Sequence, residues 1–330
     1  MSVAFLYSSQ GAGRPDFGRR LLAADPVFAA KLERADHVIR ARLGWSLVAA
    51  LRPDERLESL ASDPAAVQPL HTAMQIALTA AVRARGIEPD AVAGLCYGEL
   101  AAAEAAGALS VEQAMQVACA QARTTRRPLP PGALAMVALA PDQLGELLAP
   151  SRSLHLAVEL SPGHTVVAGP ADEVASLLQR TERAAIIAAP TTLGRAYHSP
   201  LVAPLAPGFA ADAGPIRPAP ARLPFYSSAA AGPLAGDELD LGYWWRHFVR
   251  TSRFAPTVAR MLADGYDSFL EIGPGPMLAA PVQAIAAAVG RRADVAVVAA
   301  EAGDELAALT AALGSVDRSP GRHEQARGGA

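Results

Sequence analysis

The sequence predicts an α/β protein in which a small α/β domain is inserted into a larger one. Three observations predict this fold class. Short apolar segments typical of strands alternate with longer segments of helical periodicity. One apolar run ends in a glycine-flanked turn, Gly94 to Gly98, which is followed by an alanine-rich helix. In the middle of the chain, about 60 residues follow the βαββαβ order of a ferredoxin-like fold.

Composition and charge exclude several classes of protein. The 330 residues are 51% hydrophobic and 18% charged, and the net charge of −3 argues against nucleic acid as the main partner. Two cysteines do not make a disulfide framework, and the N-terminus lacks the charged and apolar regions of a signal peptide. No run of about 18 apolar residues predicts a membrane helix. We therefore expect a soluble, cytoplasmic protein that acts on neither nucleic acid nor membranes.

The first third of the chain has the pattern of a strand, a turn and a series of helices. Residues 3–7 predict a strand, and a polar, glycine-rich turn follows it up to Gly13. Helical periodicity then continues to about residue 86, with a break rich in Pro and Asp near residues 52–55. Residues 92–95 predict a second strand, and the helices that follow it are predicted at 98–106 and 111–125.

The linker-like segment RRPLPPG, residues 126–132, separates this part from the inserted domain. Strands are predicted beyond it at 134–139, 154–160, 165–168 and 184–188, and helices at 141–148 and 171–181. We assign residues 127–196 to the ferredoxin-like inserted domain, and residues 1–126 and 197–314 to the discontinuous large domain. Further strands are predicted at 223–227 and 268–272, and the polar, glycine-rich residues 315–330 predict a disordered tail.

Cys96 lies at the centre of the turn that ends the second predicted strand. Gly94 and Gly98 lie two residues before and two residues after it, which is the spacing of a nucleophile elbow. At such an elbow the chain turns so sharply that Cβ atoms at the glycine positions would clash, and the central side chain projects from the strand end. Taken alone, this motif leaves two interpretations open, a nucleophile or a buried structural cysteine in a tight turn.

Four further motifs accompany the elbow in a fixed order. FLYSSQGAG opens the chain, GLCYGE contains Cys96, and RAYHSP, YWWRHFVRTSRF and FLEIGPGPML follow, between residue 3 and about residue 290. In order and spacing these motifs resemble those of the malonyl-CoA:ACP transacylases and polyketide synthase acyltransferase domains. Here GLCYGE stands for the family's GHSxGE, and RAYH for the specificity motif that ends in the catalytic His.

The resemblance implies an α/β-hydrolase-like large domain with a ferredoxin-like insertion, and acyl transfer by a ping-pong mechanism. By match of motif, Cys96 is the nucleophile and His198 the general base. The oxyanion hole would consist of the backbone N–H groups of Gln10 and Tyr97. His247 stands where the family has the Asn or Gln whose carbonyl orients the catalytic His, so we expect it to orient His198. If a main-chain carbonyl does this, the change to His is tolerable, and if the side-chain amide does it, His198 is held less well.

A cysteine paired with a histidine suits this chemistry. A thiol close to an imidazole and a helix N-terminus should lose its proton more readily and attack an acyl carbon. The acyl-enzyme would be a thioester, nearly equal in energy to the pantetheine thioesters on either side, which favours reversible transfer. No residues with metal-ligand spacing are present. We expect no bound cofactor, and the phosphopantetheine thioester of CoA or of a carrier protein is the expected substrate.

Gln121 departs from the family pattern in a way that bears on the substrate. It lies 25 residues after Cys96, where the family has the Arg that binds a malonyl carboxylate. A guanidinium can bind that carboxylate bidentately, whereas a neutral amide leaves a desolvated charge unpaired. Arg123 is a poor substitute, because two residues along a helix turn a side chain by about 200°. The sequence therefore predicts an acyl group without a second carboxylate.

Four other positions are expected to line the substrate site. Arg195 and Tyr197 belong to RAYH, and Arg195 is interpreted either as a contact for a polar acyl group or as a salt-bridged loop residue. Leu95 replaces the His of GHS, and Leu160 replaces the Asn of the family's NSPG turn. Both changes remove polar groups, which favours a more apolar acyl chain.

These observations predict a trans-acting acyltransferase of polyketide-type (antibiotic) biosynthesis. It would move a non-dicarboxylic acyl group from a carrier protein or CoA, through a Cys96 acyl-enzyme, to a carrier protein. The chain contains a single acyltransferase fold, so we expect an acyl carrier protein as a separate partner and a monomeric enzyme. Two alternatives remain open, a thioesterase that edits acyl carrier proteins and a catalytically silent module that binds them.

Overall fold

The computed structural model describes residues 2–9, 17–52, 60, 63–191, 195–298 and 305–317. Ten strands form two sheets. In chain order the strands are β1 (Ala4–Tyr7), β2 (Ala91–Gly94), β3 (Gly132–Val137), β4 (His155–Ser161), β5 (His164–Pro170), β6 (Ala188–Pro190), β7 (Phe225–Ser227), β8 (Gly232–Leu234), β9 (Ser268–Ile272) and β10 (Asp294–Val297).

Helices connect these strands within the described part of the chain. They are α1 (Arg19–Ala24), α2 (Pro26–Leu43), α3 (Leu47–Leu51), α4 (Pro64–Arg83), α5 (Gly98–Ala105), α6 (Val111–Thr125), α7 (Gly145–Leu148), α8 (Ala171–Arg183), α9 (Ala206–Ala213), α10 (Leu241–Val249), α11 (Phe254–Ala263), α12 (Ala279–Ala288) and α13 (Glu305–Asp317). The long helix α4 packs against α2 and α6, so these three helices form one layer.

The larger sheet has six strands in the order β10-β9-β1-β2-β7-β8. Its neighbouring strands are parallel except for the hairpin of β7 with β8. Every residue of β1 is buried, and its side chains alternate between two cores. Phe5 and Tyr7 belong to one hydrophobic cluster, and Ala4 and Leu6 belong to another. Burial on both faces is typical of a parallel sheet that is covered by helices on each side.

The smaller sheet is antiparallel, with the order β4-β5-β3-β6. Helix α8 packs on β3 and β5. The residues between the helix and this sheet, among them Val167 and Leu177, form a hydrophobic cluster separate from the two cores of the large sheet. The chain order of these elements is βαββαβ, with a 3₁₀ turn preceding the short α7. This is the ferredoxin-like arrangement that the sequence predicts. The exact boundaries of the two domains stay a prediction.

Most predicted elements lie within one or two residues of the observed ones, and two predictions differ by more. The last strand of the small sheet, predicted at 184–188, lies at Ala188–Pro190 instead. Helix α8 continues to Arg183, and a turn with Ala185 at φ 56° follows it, so the apolar residues before Ala188 do not extend into the sheet. Helix α13 continues to Asp317, three residues into the predicted tail, and residues 318–330 lie outside the described part.

The register of the large sheet brings three strand ends together. Tyr7, the last residue of β1, lies opposite Gly94 of β2 and Ile272 of β9. The chain leaves β2 directly into the Cys96 turn, and the Leu95 N–H donates to the Tyr7 carbonyl at 2.9 Å. The candidate site therefore lies at the carboxyl edge of a parallel sheet, where ligands bind in many α/β proteins. Of the helices in the described residues, none has the length and apolar character needed to cross a membrane.

Candidate active site

Cys96 lies at a sharp turn between β2 and α5, with its backbone in the left-handed region at φ 51°. A Cβ atom at Gly94 would overlap main-chain atoms of Gly98 and Glu99, and one at Gly98 would overlap the Tyr7 carbonyl. Only glycine fits at both positions, so the two glycines allow the turn that the sequence predicts. Non-glycine residues with positive φ are uncommon and concentrate at functional sites.

The structure brings Cys96 and His198 together. The Cys96 Sγ lies 3.0 Å from His198 Nε2, and His198 Nδ1 lies 2.9 Å from the main-chain carbonyl of Arg250. A carbonyl can only accept a hydrogen bond, so Nδ1 carries the ring proton. Nε2 is then the atom that can accept the thiol proton. The arrangement has the geometry of a nucleophile with its general base.

Burial keeps both members of this pair neutral. It raises the pKa of the Cys96 thiol to about 12, although hydrogen bonds from the Ser9 hydroxyl and the Tyr97 N–H oppose the shift. Burial also lowers the pKa of His198 to about 4, and the nearby His247 lowers it further. The expectation of a readily lost thiol proton is therefore wrong for the free enzyme, because desolvation outweighs the hydrogen bonds that favour the thiolate.

The structure describes one of the two predicted oxyanion-hole donors, the Tyr97 N–H. Tyr97 is the N-cap of α5, and its N–H points toward the Cys96 sulfur. An N–H at that position is suited to an oxyanion that forms on the carbon attacked by the sulfur. Gln10 lies outside the described residues.

Main-chain groups rather than the His247 side chain hold His198, which is one of the two possibilities that the sequence leaves open. The main-chain carbonyl of Arg250, three residues further on, accepts the hydrogen bond from His198 Nδ1. The two imidazole rings are edge-to-face, with centroids 5.8 Å apart. The His247 Nε2 lies 3.6 Å from Glu99 Oε2, so this ring faces the base of the Cys96 turn instead. Burial lowers the pKa of His247 to about 4, which leaves it neutral.

Glu99 is a buried residue of the site that the sequence analysis did not single out. Its carboxylate accepts hydrogen bonds from the Ser228 N–H and from the Tyr243 hydroxyl. Burial raises the pKa of Glu99 to about 7, and these hydrogen bonds limit the shift. The side chain connects the first turn of α5 to α10. The only sequence signal for it was its place as the last residue of GLCYGE.

Gln121 lies on α6, where its side chain is buried with only 1% exposed. Its Oε1 makes no hydrogen bond. Arg123 points away from this face, as the helical spacing predicts, because its side chain is 52% exposed and pairs with Asp212 at 3.4 Å. The buried group at this position is therefore a neutral amide.

The remaining predicted residues divide into one loop contact and three buried positions. Arg195 donates from Nη2 to the main-chain carbonyl of Arg127 at 3.2 Å, which ties two loops together. Tyr197 is buried against Phe248, with ring centroids 5.3 Å apart. Leu95 and Leu160 are buried in the hydrophobic cluster that contains Cys96 and Tyr197. No cluster of three potential metal-ligating side chains occurs among the residues that the structure covers.

The comparison with family models matches residues 4–315 to the acyl transferase domain. The chain belongs to the acyl transferase domain family. The match covers nearly the whole chain and includes the Cys96 turn, His198 and Gln121. The protein is therefore an acyltransferase of the polyketide synthase type.

The acyltransferase is similar in sequence to segments of curated polyketide synthases. Over 296 residues it is 34% identical to a polyketide synthase of Streptomyces halstedii, GfsB, with 87% of this chain and 5% of the relative covered. It is 33% identical to the erythronolide synthase EryA2 of Saccharopolyspora erythraea, with 87% of this chain and 8% of the relative covered. The chain thus spans only a small part of the curated relatives that it matches.

Solved structures agree with the architecture of the acyltransferase. A loading acyltransferase from the avermectin modular polyketide synthase is 30% identical, with a TM-score of 0.90 and coverage of 96% of this chain and 100% of that chain. The acyltransferase domain from module 8 of the salinomycin polyketide synthase is also 30% identical, with a TM-score of 0.88 over 96% of this chain and 76% of that chain. These matches confirm the predicted α/β fold with a ferredoxin-like small domain.

Proposed function

We propose that this acyltransferase moves a non-dicarboxylic acyl group between thioesters through a Cys96 acyl-enzyme. The donor is a carrier protein or CoA, and the acceptor is the phosphopantetheine thiol of a carrier protein. The observation that carries the catalytic part is the 3.0 Å contact between Cys96 Sγ and His198 Nε2. A buried nucleophile and a base within hydrogen-bond distance are the parts that covalent acyl transfer requires.

Before acylation, the Cys96 thiol and the His198 imidazole are both neutral. His198 Nε2 takes the thiol proton as Sγ attacks the thioester carbonyl carbon, and the Tyr97 N–H binds the developing oxyanion. The bond from that carbon to the pantetheine sulfur then breaks, and the departing sulfur takes the proton from His198. Cys96 now carries the acyl group as a thioester. The acceptor thiol reverses these steps and leaves Cys96 as a free thiol.

Gln121 supports an acyl group without a carboxylate. A malonyl group bound against this buried amide would keep a charge that no guanidinium at that position compensates. A neutral acyl group meets no such penalty. The similarity to a loading acyltransferase agrees with a role in supplying an acyl group to an assembly line.

A carrier protein is the partner that fits the family. We expect the acyltransferase to act in trans on that carrier, in the cytoplasm, as a monomer and without a bound cofactor. Polyketide-type (antibiotic) biosynthesis is the expected setting, since the curated relatives include polyketide synthases.

The test is an acyl-transfer assay with butyryl-CoA and malonyl-CoA as alternative donors and a holo carrier protein as acceptor. We expect the butyryl group to reach the carrier and the malonyl group to transfer at least about tenfold more slowly. Gln121→Arg should shift the ratio of the two rates toward malonyl by at least about tenfold. Arg123→Gln is the matched control, because Arg123 is exposed two residues away, and it should leave the ratio unchanged.

Three outcomes would contradict this function. Preferred malonyl transfer by the wild type would remove the role given to Gln121. Release of free butyrate without gain on the carrier would assign the domain to the thioesterase alternative. Absence of any acyl-enzyme, with the carrier still bound, would assign it to the silent binding module.

A further inference from the structure

A row of polar side chains lies on one face of helix α4, close to the nucleophile. Gln68, His71 and Thr72 are spaced three and four residues apart, so they share this face, and all three are buried. One turn further on, Gln75 Nε2 donates to the Ser8 carbonyl at the end of β1. The row therefore points toward the carboxyl edge of the large sheet.

Helix α6 packs against α4 and presents a second polar face. Gln121, Thr124 and Thr125 are spaced three and four residues apart on it, and all are buried. The Thr125 hydroxyl donates to the Ala122 carbonyl of its own helix at 2.7 Å, whereas the Thr124 hydroxyl has no partner.

Two tyrosines connect the two faces to the nucleophile. The Tyr97 hydroxyl lies near the Gln68 amide and near the Tyr197 hydroxyl, and each of these contacts affects its pKa. The Tyr197 hydroxyl lies near Thr125, and Cys96 lies close enough to both tyrosines to raise their pKa values. Neither the Gln68 amide nor the Tyr197 hydroxyl reaches normal hydrogen-bond geometry with these neighbours.

The hydrogen-bonding capacity of this region is largely unused. Buried polar atoms without a hydrogen bond include Ser8 Oγ, Gln75 Oε1 and the two ring nitrogens of His247. Six further residues between the two helices and Tyr197 have such atoms, Gln68 (Nε2 and Oε1), His71 (Nδ1), Thr72 (Oγ1), Gln121 (Oε1), Thr124 (Oγ1) and Tyr197 (hydroxyl). We name these six residues the amide–hydroxyl cluster. Buried polar groups are nearly always paired, so a group of unpaired ones beside a nucleophile indicates a site that a polar ligand completes.

The amide–hydroxyl cluster contains no charged side chain. Burial lowers the pKa of His71 to about 4, so its imidazole is neutral at physiological pH. Arg195 is the cation near Tyr197, and its Nη2 donates to the Arg127 carbonyl. The cluster therefore offers hydrogen bonds to a ligand rather than an opposite charge.

We propose that the acyl group is neutral but polar, and that it carries an amide beyond the thioester carbonyl, bound by the amide–hydroxyl cluster. The unpaired nitrogen and oxygen of Gln68 match the C=O and N–H of a secondary amide. The hydroxyls of the cluster can each donate or accept. This inference rests on the proposed acyl transfer through Cys96. It differs from the expectation of a more apolar acyl chain that Leu95 and Leu160 favour.

The test compares two pantetheine thioesters of equal shape, N-acetylglycyl and 4-methylpentanoyl. The second has a methyl group and a methylene where the first has the amide oxygen and N–H. The kcat/KM for transfer to the carrier should be at least about tenfold higher for N-acetylglycyl, since the apolar isostere leaves buried polar groups unpaired.

Two variants connect this preference to the cluster. Thr72→Val and Thr124→Val each remove one hydroxyl without changing the shape of the side chain, and each should reduce the preference by about threefold or more. Thr165→Val is the matched control, because Thr165 on β5 is also buried with an unpaired hydroxyl. Along β5 it shares a face with Val167 of the small-domain core, so the preference should stay unchanged.

The outcomes separate this inference from the function on which it rests. If both thioesters acylate Cys96 and 4-methylpentanoyl transfers equally well or better, the inference is overturned and the acyl transfer stands. A preference for N-acetylglycyl that both cluster variants retain also overturns it, because the selectivity then arises elsewhere. If neither thioester nor butyryl-CoA acylates Cys96, the proposed function fails, and the inference fails with it.

Discussion

Cys96 and His198 form a neutral pair in which the thiol keeps its proton beside the imidazole. The thiol lies 3.0 Å from Nε2, and burial moves the pKa of the cysteine up and that of the histidine down. In the proposed mechanism, proton transfer to His198 therefore accompanies the attack on the thioester rather than preceding it. This differs from cysteine enzymes in which a thiolate and an imidazolium are already present before substrate binds.

The pH dependence of acylation tests this neutral pair. Because burial lowers the pKa of His198 to about 4, its Nε2 can accept the thiol proton well below pH 6. The single-turnover acylation rate by butyryl-CoA should stay level between pH of about 5.5 and 8, and it should fall only as His198 becomes protonated below about pH 5. A rate that falls around pH 6.5, the ordinary pKa of histidine, would contradict the account.

The contact between Cys96 and His198 was more predictable from the sequence than the atoms that surround it. Cys96 and His198 were predicted from motifs, since a nucleophile and a base must be particular side chains. The group that orients His198 was missed, because any residue can supply the main-chain carbonyl that Arg250 contributes. Of the amide–hydroxyl cluster, Gln121 and Tyr197 were named from the sequence, but the residues of α4 and Thr124 were missed. Its members come from helices that are distant in sequence, so only the packing brings them together.

At the scale of elements, the junction of β2 and α5 positions the nucleophile. Helix α5 begins directly beneath Tyr7, and a Cβ at Gly98 would overlap the Tyr7 carbonyl. This obstacle is backbone, which cannot move without displacing β1 from the sheet.

Gly98→Ala should therefore destabilise the protein strongly. We expect a loss of about 2–4 kcal/mol in the free energy of unfolding, measured by urea denaturation, together with loss of acylation in the folded fraction. Gly163→Ala is the matched control, since Gly163 lies in the turn between β4 and β5 with open space around its Cα. It should change stability by less than about 0.5 kcal/mol. Equal stability of the two variants would contradict the steric role of Gly98.

Glu99 connects α5 to α10 through its hydrogen bond with Tyr243. Because its pKa is shifted, its contribution to the free energy of unfolding depends on pH. Burial raises the pKa of Glu99 from 4.5 to about 7, so between these values the folded state binds more protons than the unfolded state. The contribution of Glu99 to the free energy of unfolding is therefore fully present below about pH 4.5 and is lost as the pH rises through about 7.

Glu99→Gln should remove this dependence. The free energy of unfolding of the variant minus that of the wild type should therefore increase by up to about 3 kcal/mol from pH 5 to pH 8, which means that the variant becomes relatively more stable. Urea denaturation of both proteins at each pH measures the difference, and groups that do not contact Glu99 contribute equally to both proteins. A difference that does not change with pH would mean that Glu99 titrates near its ordinary value.

Strand positions were predictable where an apolar run ends at a glycine or a proline. The strand at 268–272 was predicted exactly, because Gly273 and Pro274 end it. The predicted strand at 184–188 was displaced, because the residues after α8 are apolar but first form a turn with Ala185 in the left-handed region. Composition alone does not distinguish an apolar turn from an apolar strand.

At the scale of the whole molecule, one chain combines two kinds of sheet. The parallel sheet supplies the strand ends that position Cys96, and the antiparallel sheet of the inserted part contributes Leu160 to the cluster around it. The fold class was predictable from the order of the elements, and the comparisons confirm it. The sequence motifs also led to the correct family, because they mark the turns and strand ends from which the site is built.

The central claim is that Cys96 carries the acyl group, and intact-protein mass spectrometry after incubation with butyryl-CoA tests it most directly. The wild type should gain one butyryl group, and peptide mapping should locate it on Cys96. Cys119→Ala is the matched control, because Cys119 is the other cysteine of the chain and is buried in α6, and this variant should still gain the group. Cys96→Ala should gain none. A butyryl adduct of equal yield on Cys96→Ala would contradict the account.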